Sequence, residues 1–280
     1  MTAPRLIDTD HLGIDRVIGV WERDGVIVDP GPSSSIETVL ERLGGGFEPR
    51  ALLLTHIHLD HAGATGTLVD RFPSLRVYVH EVGAPHLIDP AKLLKSAARL
   101  YGDDMDRLWG EVLPVPEENL TVLSGGESVE GMSVLYTPGH ASHHVTYVDE
   151  GSGDAYVGDV GAVRIPPSGT AWIPSPPPEV DVELWEQSLA KLEDRSPARL
   201  LLTHFGAVDE PAEHLAAVRS ELRVSAERAR GASREEFLAE LEGRIDREQG
   251  DVGERIRLAM PPEQVWLGLE RWRDRIARAP

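Results

Sequence analysis

The chain has 280 residues, of which 41% are hydrophobic and 27% charged, as in an ordinary globular protein with a sizeable core. A formal net charge of −19 argues against nucleic acid as a partner, because phosphate binding relies on clustered basic residues, and no apolar run is long enough to span a membrane. The chain has no cysteine, which excludes disulfides, thiolate ligands and cysteine nucleophiles, and with no signal-like segment at its start we expect a cytoplasmic protein.

The first 80 residues predict strands interrupted by a helix. Apolar and β-branched runs indicate strands at 16–21, 25–29 and 76–80, and the run 51–55 is apolar enough to be a strand buried on both faces. A short helix is expected at 33–43, where three consecutive glycines follow.

Residues 85–118 are predicted to be a helical insertion. Asp89, followed by proline, suits a helix N-terminus, and apolar residues then recur at helical spacing as far as Trp109. We expect the segment 89–113 to form a lid over the functional site, with Tyr101 or Trp109 lining a substrate pocket. A pair of helices packed on the outside of a sheet is the alternative.

More strands are predicted between this insertion and residue 206. They are expected at 120–123, 132–137, 144–149, 155–158 and 199–203, with a helix at 183–192. The proline-rich stretch 164–178 shows no periodicity and is interpreted as an ordered loop, in which Trp172 is a third candidate for the pocket wall.

Residues 207–280 are predicted to be a helical extension of a catalytic region at 1–206. Three helices are expected, beginning near Pro211, Ser233 and Pro261. Isolated helices of this length are marginal in water, so they need an apolar surface to pack on.

That surface belongs either to the catalytic region or to a second subunit. Trp266, Leu269 and Trp272 follow one another at a spacing of three and predict one bulky apolar stripe on the last helix. On this stripe alone we expect a possible homodimer.

Seven residues that can bind metal occur in four short motifs. They are His56, His58, Asp60 and His61 in the segment 56–61, His140 after Pro138 and Gly139, Asp159 after a strand, and His204 after another. On a tight loop, His56 and His58 project to one side and can chelate one ion, whereas Asp60 and His61 suit a neighbouring ion. Seven such residues are the number that two metal ions need when one carboxylate bridges them.

Neighbouring residues are interpreted from their context. His143 and His144 compete with His140, but the sharp turn before His140 favours it as a ligand, and we interpret the other two as supporting or core histidines. Asp29 ends a strand and either hydrogen-bonds a ligand histidine or begins a turn.

The motif Leu-Leu-Leu-Thr-His occurs twice, at 52–56 and at 200–204. In each copy a buried strand delivers a histidine to the loop that follows it. The repeat predicts two half-domains that face each other across a shared cleft.

With these residues the chain resembles the metallo-β-lactamase superfamily over about residues 10–206. The resemblance implies an α/β fold, a four-layer αβ/βα sandwich with the site at one edge between the sheets. It implies that one ion is bound by His56, His58 and His140 and the other by Asp60, His61 and His204, with Asp159 and a hydroxide bridging both. Asp60 and Asp159 are then the catalytic carboxylates, and the cofactors are two divalent ions, with zinc favoured over iron or manganese.

Within the superfamily the chain looks most similar to the glyoxalase II and lactonase branch, whose glyoxalase II members also have a helical C-terminal region. That similarity implies a small-molecule substrate, a thioester or lactone, that is attacked by the metal-bridging hydroxide. True β-lactamases are disfavoured, because one group needs a cysteine ligand and another lacks the bridging aspartate. The alternatives are a phosphodiesterase- or phosphotriesterase-type hydrolase, and an iron-dependent oxidoreductase like the persulfide dioxygenases.

Overall fold

Two six-stranded sheets form the centre of the structure, a computed structural model that describes residues 2–278. The first sheet contains, in spatial and chain order, β1 (Arg5–Asp8), β2 (Gly19–Arg23), β3 (Val26–Val28), β4 (Ala51–Leu53), β5 (Arg76–His80) and β6 (Leu120–Leu123). The second contains β7 (Ser128–Val129), β8 (Met132–Tyr136), β9 (Val145–Asp149), β10 (Asp154–Tyr156), β11 (Arg199–Leu202) and β12 (Gly206–Val208), again in chain order from one edge to the other. The strands β3 to β6 are parallel, and so are β10 and β11, while the other neighbours are antiparallel.

Eleven α-helices are present in the described part of the chain. They are α1 (Ile36–Leu43), α2 (Leu59–Ala62), α3 (Thr65–Arg71), α4 (Ala84–Ile88), α5 (Ala91–Tyr101), α6 (Met105–Trp109), α7 (Val182–Arg195), α8 (Pro211–Gly231), α9 (Arg234–Ile245), α10 (Val252–Ala259) and α11 (Pro262–Ala277). Within residues 2–278, none of these helices is both long and apolar enough to cross a bilayer.

The alternation of side chains along each strand arranges the sheets and helices in four layers. Ile27 and Leu52 pack with α1 and α3 on the outside of the first sheet. Their neighbours Val28 and Leu53 point the other way, into a core shared with Leu201 of the second sheet. Because successive side chains point to opposite faces, one apolar run serves two layers. The predicted αβ/βα sandwich is confirmed.

The C-terminal helices cover the outer face of the second sheet. Leu200 and Leu202 of β11 belong to one apolar cluster with residues of α7 to α11. Trp266, Leu269 and Trp272 are buried in the same cluster, at 2%, 0% and 0% exposure. The apolar stripe on which the homodimer was predicted is therefore buried inside the chain, where α11 packs against α8 and α9.

Several short elements were not predicted. The edge strands β1, β7 and β12 are held by backbone hydrogen bonds to a neighbour and include exposed side chains, so their apolar pattern is weak. In the C-terminal region, α10 is a separate helix that follows a turn after Ile245, so four helices replace the three expected.

A buried ion pair joins the two sheets. Arg23 on β2 contacts Asp149 on β9, and both side chains are at most 5% exposed. Burial alone would raise the pKa of Asp149, but hydrogen bonds from Arg23 and from the backbone of Ser152 outweigh it and lower the pKa to about 2. The stabilisation from this pair is present above the pKa of an unfolded aspartate, near 3.9, and is lost as the pH falls toward 2.

Replacing Arg23 with methionine is expected to lower the free energy of unfolding by about 3–5 kcal/mol at pH 7, because the Asp149 carboxylate stays buried without its partner. The deficit should shrink as the pH falls below about 4, where Asp149 can be protonated. Urea unfolding at several pH values measures both effects. As a control, Arg71→Met, which breaks an exposed pair with Glu37, should cost less than about 1 kcal/mol. Equal losses in the two variants would contradict the prediction.

Candidate metal centre

All seven predicted metal-binding residues meet at the carboxyl ends of four strands. His56 and His58 lie on the loop after β4, and α2 follows directly with Asp60 and His61. The other three follow strands of the second sheet: His140 after β8, Asp159 after β10 and His204 after β11. The site thus lies where loops from both sheets converge.

Four of the seven residues form a first donor group. The Nδ1 atom of His58 lies 3.0 Å from Nε2 of His56 and 2.9 Å from Nε2 of His140. Oδ2 of Asp159 lies 3.3 Å from the same His140 nitrogen. The potential ligand atoms of this group are all within 4.8 Å of one another.

Asp159 also belongs to a second donor group, through its other oxygen. Oδ1 lies 3.1 Å from Nε2 of His61 and 3.5 Å from Nε2 of His204. Oδ2 of Asp60 lies 3.4 Å from the His204 nitrogen and 3.7 Å from that of His61. One carboxylate therefore connects the two groups, as a bridging ligand must.

Backbone carbonyls orient two of the histidines. Nδ1 of His140 donates to the oxygen of Pro174 at 2.8 Å, and Nδ1 of His204 donates to the oxygen of Val17 at 2.6 Å. An imidazole that donates from Nδ1 presents a lone pair at Nε2, the atom that faces the donor groups. Both rings are thus in the tautomer that binds a cation.

Burial keeps the three histidines of the first donor group neutral. It lowers the pKa of His56 well below the usual value, lowers that of His58, and lowers that of His140 to about 4. Each neutral ring carries only one N–H proton, so three rings whose nitrogens face one another bring several lone pairs together. A metal cation accommodates this arrangement of lone pairs.

The carboxylates determine the protonation of the second donor group. Burial opposes protonation of His61, yet the charges of Asp159, Asp60 and Asp29 raise its pKa well above the usual value. The pKa of Asp60 falls to about 2, because His61 and His204 outweigh the effect of burial. This excess of negative charge is compensated by protons when no other cation is bound.

Buried polar atoms that form no hydrogen bond show whether the second donor group fits a metal ion. Among the described residues, Nε2 of His61, Nε2 of His204 and Oδ1 of Asp159 are buried and, although the oxygen lies 3.1 and 3.5 Å from the two nitrogens, their geometry forms no hydrogen bond. Such atoms are costly to bury unless something satisfies them. Imidazole and carboxylate donors suit zinc, iron or manganese, so the residues present fit two divalent ions.

Asp29 explains the repeated Leu-Leu-Leu-Thr-His motif. Its carboxylate accepts from Nδ1 of His61 at 2.8 Å and from the Thr55 hydroxyl at 2.7 Å, and the Thr203 hydroxyl approaches the same oxygen at 3.4 Å. The threonines of both copies thus converge on one buried carboxylate that holds a histidine of the second donor group. Asp29 occupies the position predicted for a residue that orients a ligand histidine.

Asp29→Asn is expected to weaken binding of the ion at the second donor group by about 10- to 100-fold, because the amide loses the charge and one of the acceptor sites that hold His61. Competition with a chelator measures this affinity. The matched control is Asp24→Asn, which makes the same exchange in an exposed turn and should leave the affinity unchanged. An unchanged affinity in Asp29→Asn would show that His61 is oriented without it.

His143 and His144 lie beside the centre but outside both donor groups. Nδ1 of His144 pairs with the Thr137 hydroxyl at 2.9 Å, and its ring packs against Gly158, where an added Cβ would lie 2.7 Å from Nε2. The ring of His143 packs against His58 and lines the adjacent cavity. The choice of His140 over its two neighbours agrees with this geometry.

A cavity of about 460 Å³ opens over the donor groups, with His58, Asp60 and Asp159 in its lining. Tyr101 and Trp109 of the helical insertion line it too, in an edge-to-face contact with ring centroids 5.0 Å apart. The placement of these two aromatic residues is the one expected of a lid.

Trp172 does not line this cavity, so its assignment to the pocket wall was wrong. It is 2% exposed within the core under the C-terminal helices, where the guanidinium of Arg244 lies 5.0 Å from its ring centroid. A tryptophan in a proline-rich loop indicates that the loop packs against an apolar surface, but the sequence pattern does not identify that surface.

Two parts of the site were missed. The C-terminal segment 257–265 lines the cavity although it was not predicted to, and the proline-rich loop reaches the cavity through residues 174–179 and not through Trp172. Backbone carbonyls of Val17 and Pro174 orient His204 and His140, and because every residue has a carbonyl, the sequence could not identify them. For the network around Asp29, the sequence offered two hints: the position of Asp29 at a strand end, and the matching positions of Thr55 and Thr203 in the two copies of the repeat.

The fold is a four-layer αβ/βα sandwich, and its site consists of two candidate metal-donor groups that share one aspartate. The chain belongs to the Metallo-beta-lactamase superfamily, whose family description matches residues 20–204. The predicted family is confirmed.

Two named relatives share about a quarter to a third of their aligned residues with this chain. A hydroxyacylglutathione hydrolase of Xanthomonas campestris is 32% identical over 134 residues, which are 48% of this chain and 40% of that protein. The chain thus spans about two fifths of the length of these first curated relatives. The metallo-beta-lactamase fold-containing protein ST1585 of Sulfurisphaera tokodaii is 26% identical over 196 residues, or 67% of this chain and 70% of that protein.

Solved structures show the same fold. The crystal structure of ST1585 has a TM-score of 0.72 at 21% identity and covers 98% of this chain and 99% of its own. TTHA1623, solved in a di-iron-bound form, has a TM-score of 0.52 at 27% identity, with 76% of this chain and 90% of that chain covered.

Proposed function

We propose that this protein is a dinuclear metal-dependent hydrolase of small ester-type bonds, a thioester or a lactone. One observation carries the proposal: the two oxygens of Asp159 face two separate donor groups at the floor of a largely apolar cavity. The relative named hydroxyacylglutathione hydrolase supports an acyl compound as the substrate.

Two divalent ions bound at such a site would lower the pKa of a coordinated water to about 7 and polarise the carbonyl that is attacked. The chain's own residues provide the rest. His140 and His204 are held in one tautomer by Pro174 and Val17, so their nitrogens stay aimed at the centre without reorganisation. The cavity wall separates the reacting bond from bulk solvent.

Asp60 is the carboxylate placed to take up and release a proton. It is ionised, because His61 and His204 keep its pKa at about 2, and its side chain is 20% exposed where it lines the cavity, compared with 5% for Asp159. The chain has no cysteine, and hydrolysis by this centre needs no side-chain nucleophile.

The test is elemental analysis followed by a substrate panel. We expect about two transition-metal ions per chain, and hydrolysis of a thioester or a lactone that stops when a chelator removes the metal and returns with zinc, iron or manganese. Cleavage of a phosphodiester or phosphotriester in preference to both would overturn the ester assignment. A single iron together with oxygen uptake on a persulfide would overturn the hydrolase assignment.

A further inference from the structure

We propose that the substrate carries an uncharged hydrocarbon acyl chain that lies in the cavity above the metal centre, and that it is not a glutathione conjugate. This inference rests on the proposed ester hydrolysis and names the class of its substrate. It commits to an acyl ester, acyl thioester or alkyl-substituted lactone in which the reactive carbonyl is at one end and the hydrocarbon at the other.

The cavity has a polar floor and an apolar wall. His58, Asp60 and Asp159 line the end at the metal centre. The wall includes Leu93, Leu100, Leu108 and Trp109 from the insertion, Met260 from the turn between α10 and α11, and Val265 from α11. A ligand that satisfies both ends must be an amphiphile with its reactive bond at the polar end.

Two separate regions of the chain are joined to make this wall. Tyr101 donates a hydrogen bond to Oε1 of Gln264 at 3.2 Å, and Leu258 packs in the same apolar cluster as Trp109. The insertion and the C-terminal helices are thus in contact around the cavity. A volume of about 460 Å³ lies within the ~300–1,000 Å³ of small-molecule sites, which is room for a chain of several methylene groups.

The charges of the lining argue against glutathione, whose peptide carries two carboxylates. Of the two fixed cations in the lining, Arg257 is engaged by Glu242 and Asp246 at 2.6 and 2.5 Å. The other, Lys92, is exposed at the surface of α5. Asp104 and Glu179 also line the cavity and repel carboxylates. A neutral hydrocarbon chain meets none of these penalties.

The first experiment measures kcat/KM of the metal-loaded protein on esters that share one leaving group and have acyl chains from two to twelve carbons. We expect kcat/KM to rise about fourfold per methylene, the factor that corresponds to about 0.8 kcal/mol per buried methylene, until the cavity is filled. A hydroxyacyl glutathione thioester should be hydrolysed less efficiently than the best acyl thioester. A flat profile, or a preference for the glutathione thioester, would overturn the inference.

A variant pair locates the effect in the cavity. Leu100 lines the cavity, and Leu100→Gln should lower the ratio of kcat/KM for the eight-carbon ester to that for the two-carbon ester by about tenfold. The matched control is Arg99→Gln, the adjacent exposed residue, which should leave that ratio unchanged. An equal ratio in wild type and Leu100→Gln would place the chain elsewhere.

Binding to the metal-free protein separates this inference from the proposed function. Neutral amides of the same chain lengths, titrated calorimetrically, should bind about fourfold more tightly per methylene even though no reaction occurs. Hydrolysis of short esters without any dependence of rate or binding on chain length would refute the inference and leave the hydrolase assignment intact. Binding that depends on chain length, without hydrolysis of any ester, would support the inference about the cavity and refute the hydrolase assignment.

Discussion

Replacing Asp159 with alanine is expected to reduce the metal content from about two ions per chain to at most one, and to lower ester hydrolysis by more than about 100-fold. The reason is geometric, since this carboxylate is the residue that the two donor groups share. Its two oxygens lie 3.1 Å from His61 and 3.3 Å from His140, so both groups lose an anionic ligand at once. Elemental analysis and steady-state kinetics on the same preparation measure the two effects.

His143→Ala is the control for that experiment. His143 follows His140 by three residues and its ring packs against His58, but it belongs to neither donor group. It should keep both ions. Loss of an ion from His143→Ala, or two ions retained in Asp159→Ala, would show that the ligand set has been assigned incorrectly.

Ending the chain at Val208 is expected to abolish the folded state. The cut removes α8 to α11 and uncovers apolar side chains on the outer face of the second sheet, including Leu200 and Leu202, which are fully buried in the intact chain. Exposing each large apolar side chain costs about 1.5–3 kcal/mol, so a few of them exceed the roughly 5–15 kcal/mol that stabilises a typical domain. Sedimentation and circular dichroism of the truncated chain measure the outcome.

Two point variants keep this prediction testable if the truncated chain cannot be purified. Trp266→Ala empties a site in the same apolar cluster and should lower the free energy of unfolding by about 3–5 kcal/mol. Val224→Ala changes a residue of α8 that is 44% exposed and should change it by less than about 0.5 kcal/mol. A soluble truncated chain with a cooperative unfolding transition would show that the second sheet does not depend on these helices.

The metal-binding residues were predictable from sequence because they are local. His56, His58, Asp60 and His61 occupy six consecutive positions after an apolar strand, and each of the other motifs follows a strand in the same way. The carboxyl ends of strands deliver side chains to a shared edge, so the pattern alone indicates convergence. The layered fold followed from the resemblance that these motifs carry.

The surroundings of the centre depended on contacts between distant segments. Asp29 was suspected of holding a histidine, but its partnership with both Thr55 and Thr203 requires the two sheets to be in place. The carbonyls of Val17 and Pro174 act through the backbone, which every residue possesses.

The sequence by itself determined the chemistry of the centre: which side chains can bind metal, that one carboxylate is shared, and that cysteine chemistry is absent. Only the tertiary structure decided what each apolar face is buried against. The stripe of Trp266 and Trp272 predicted a buried surface, and in the structure it is buried in an apolar core between α11 and other helices of the same chain. Trp172 likewise lies in that core, whereas the segment 257–265 reaches the cavity. Periodicity shows that a face avoids water, but the hydrophobic effect is non-directional, so only the fold decides which surface covers it.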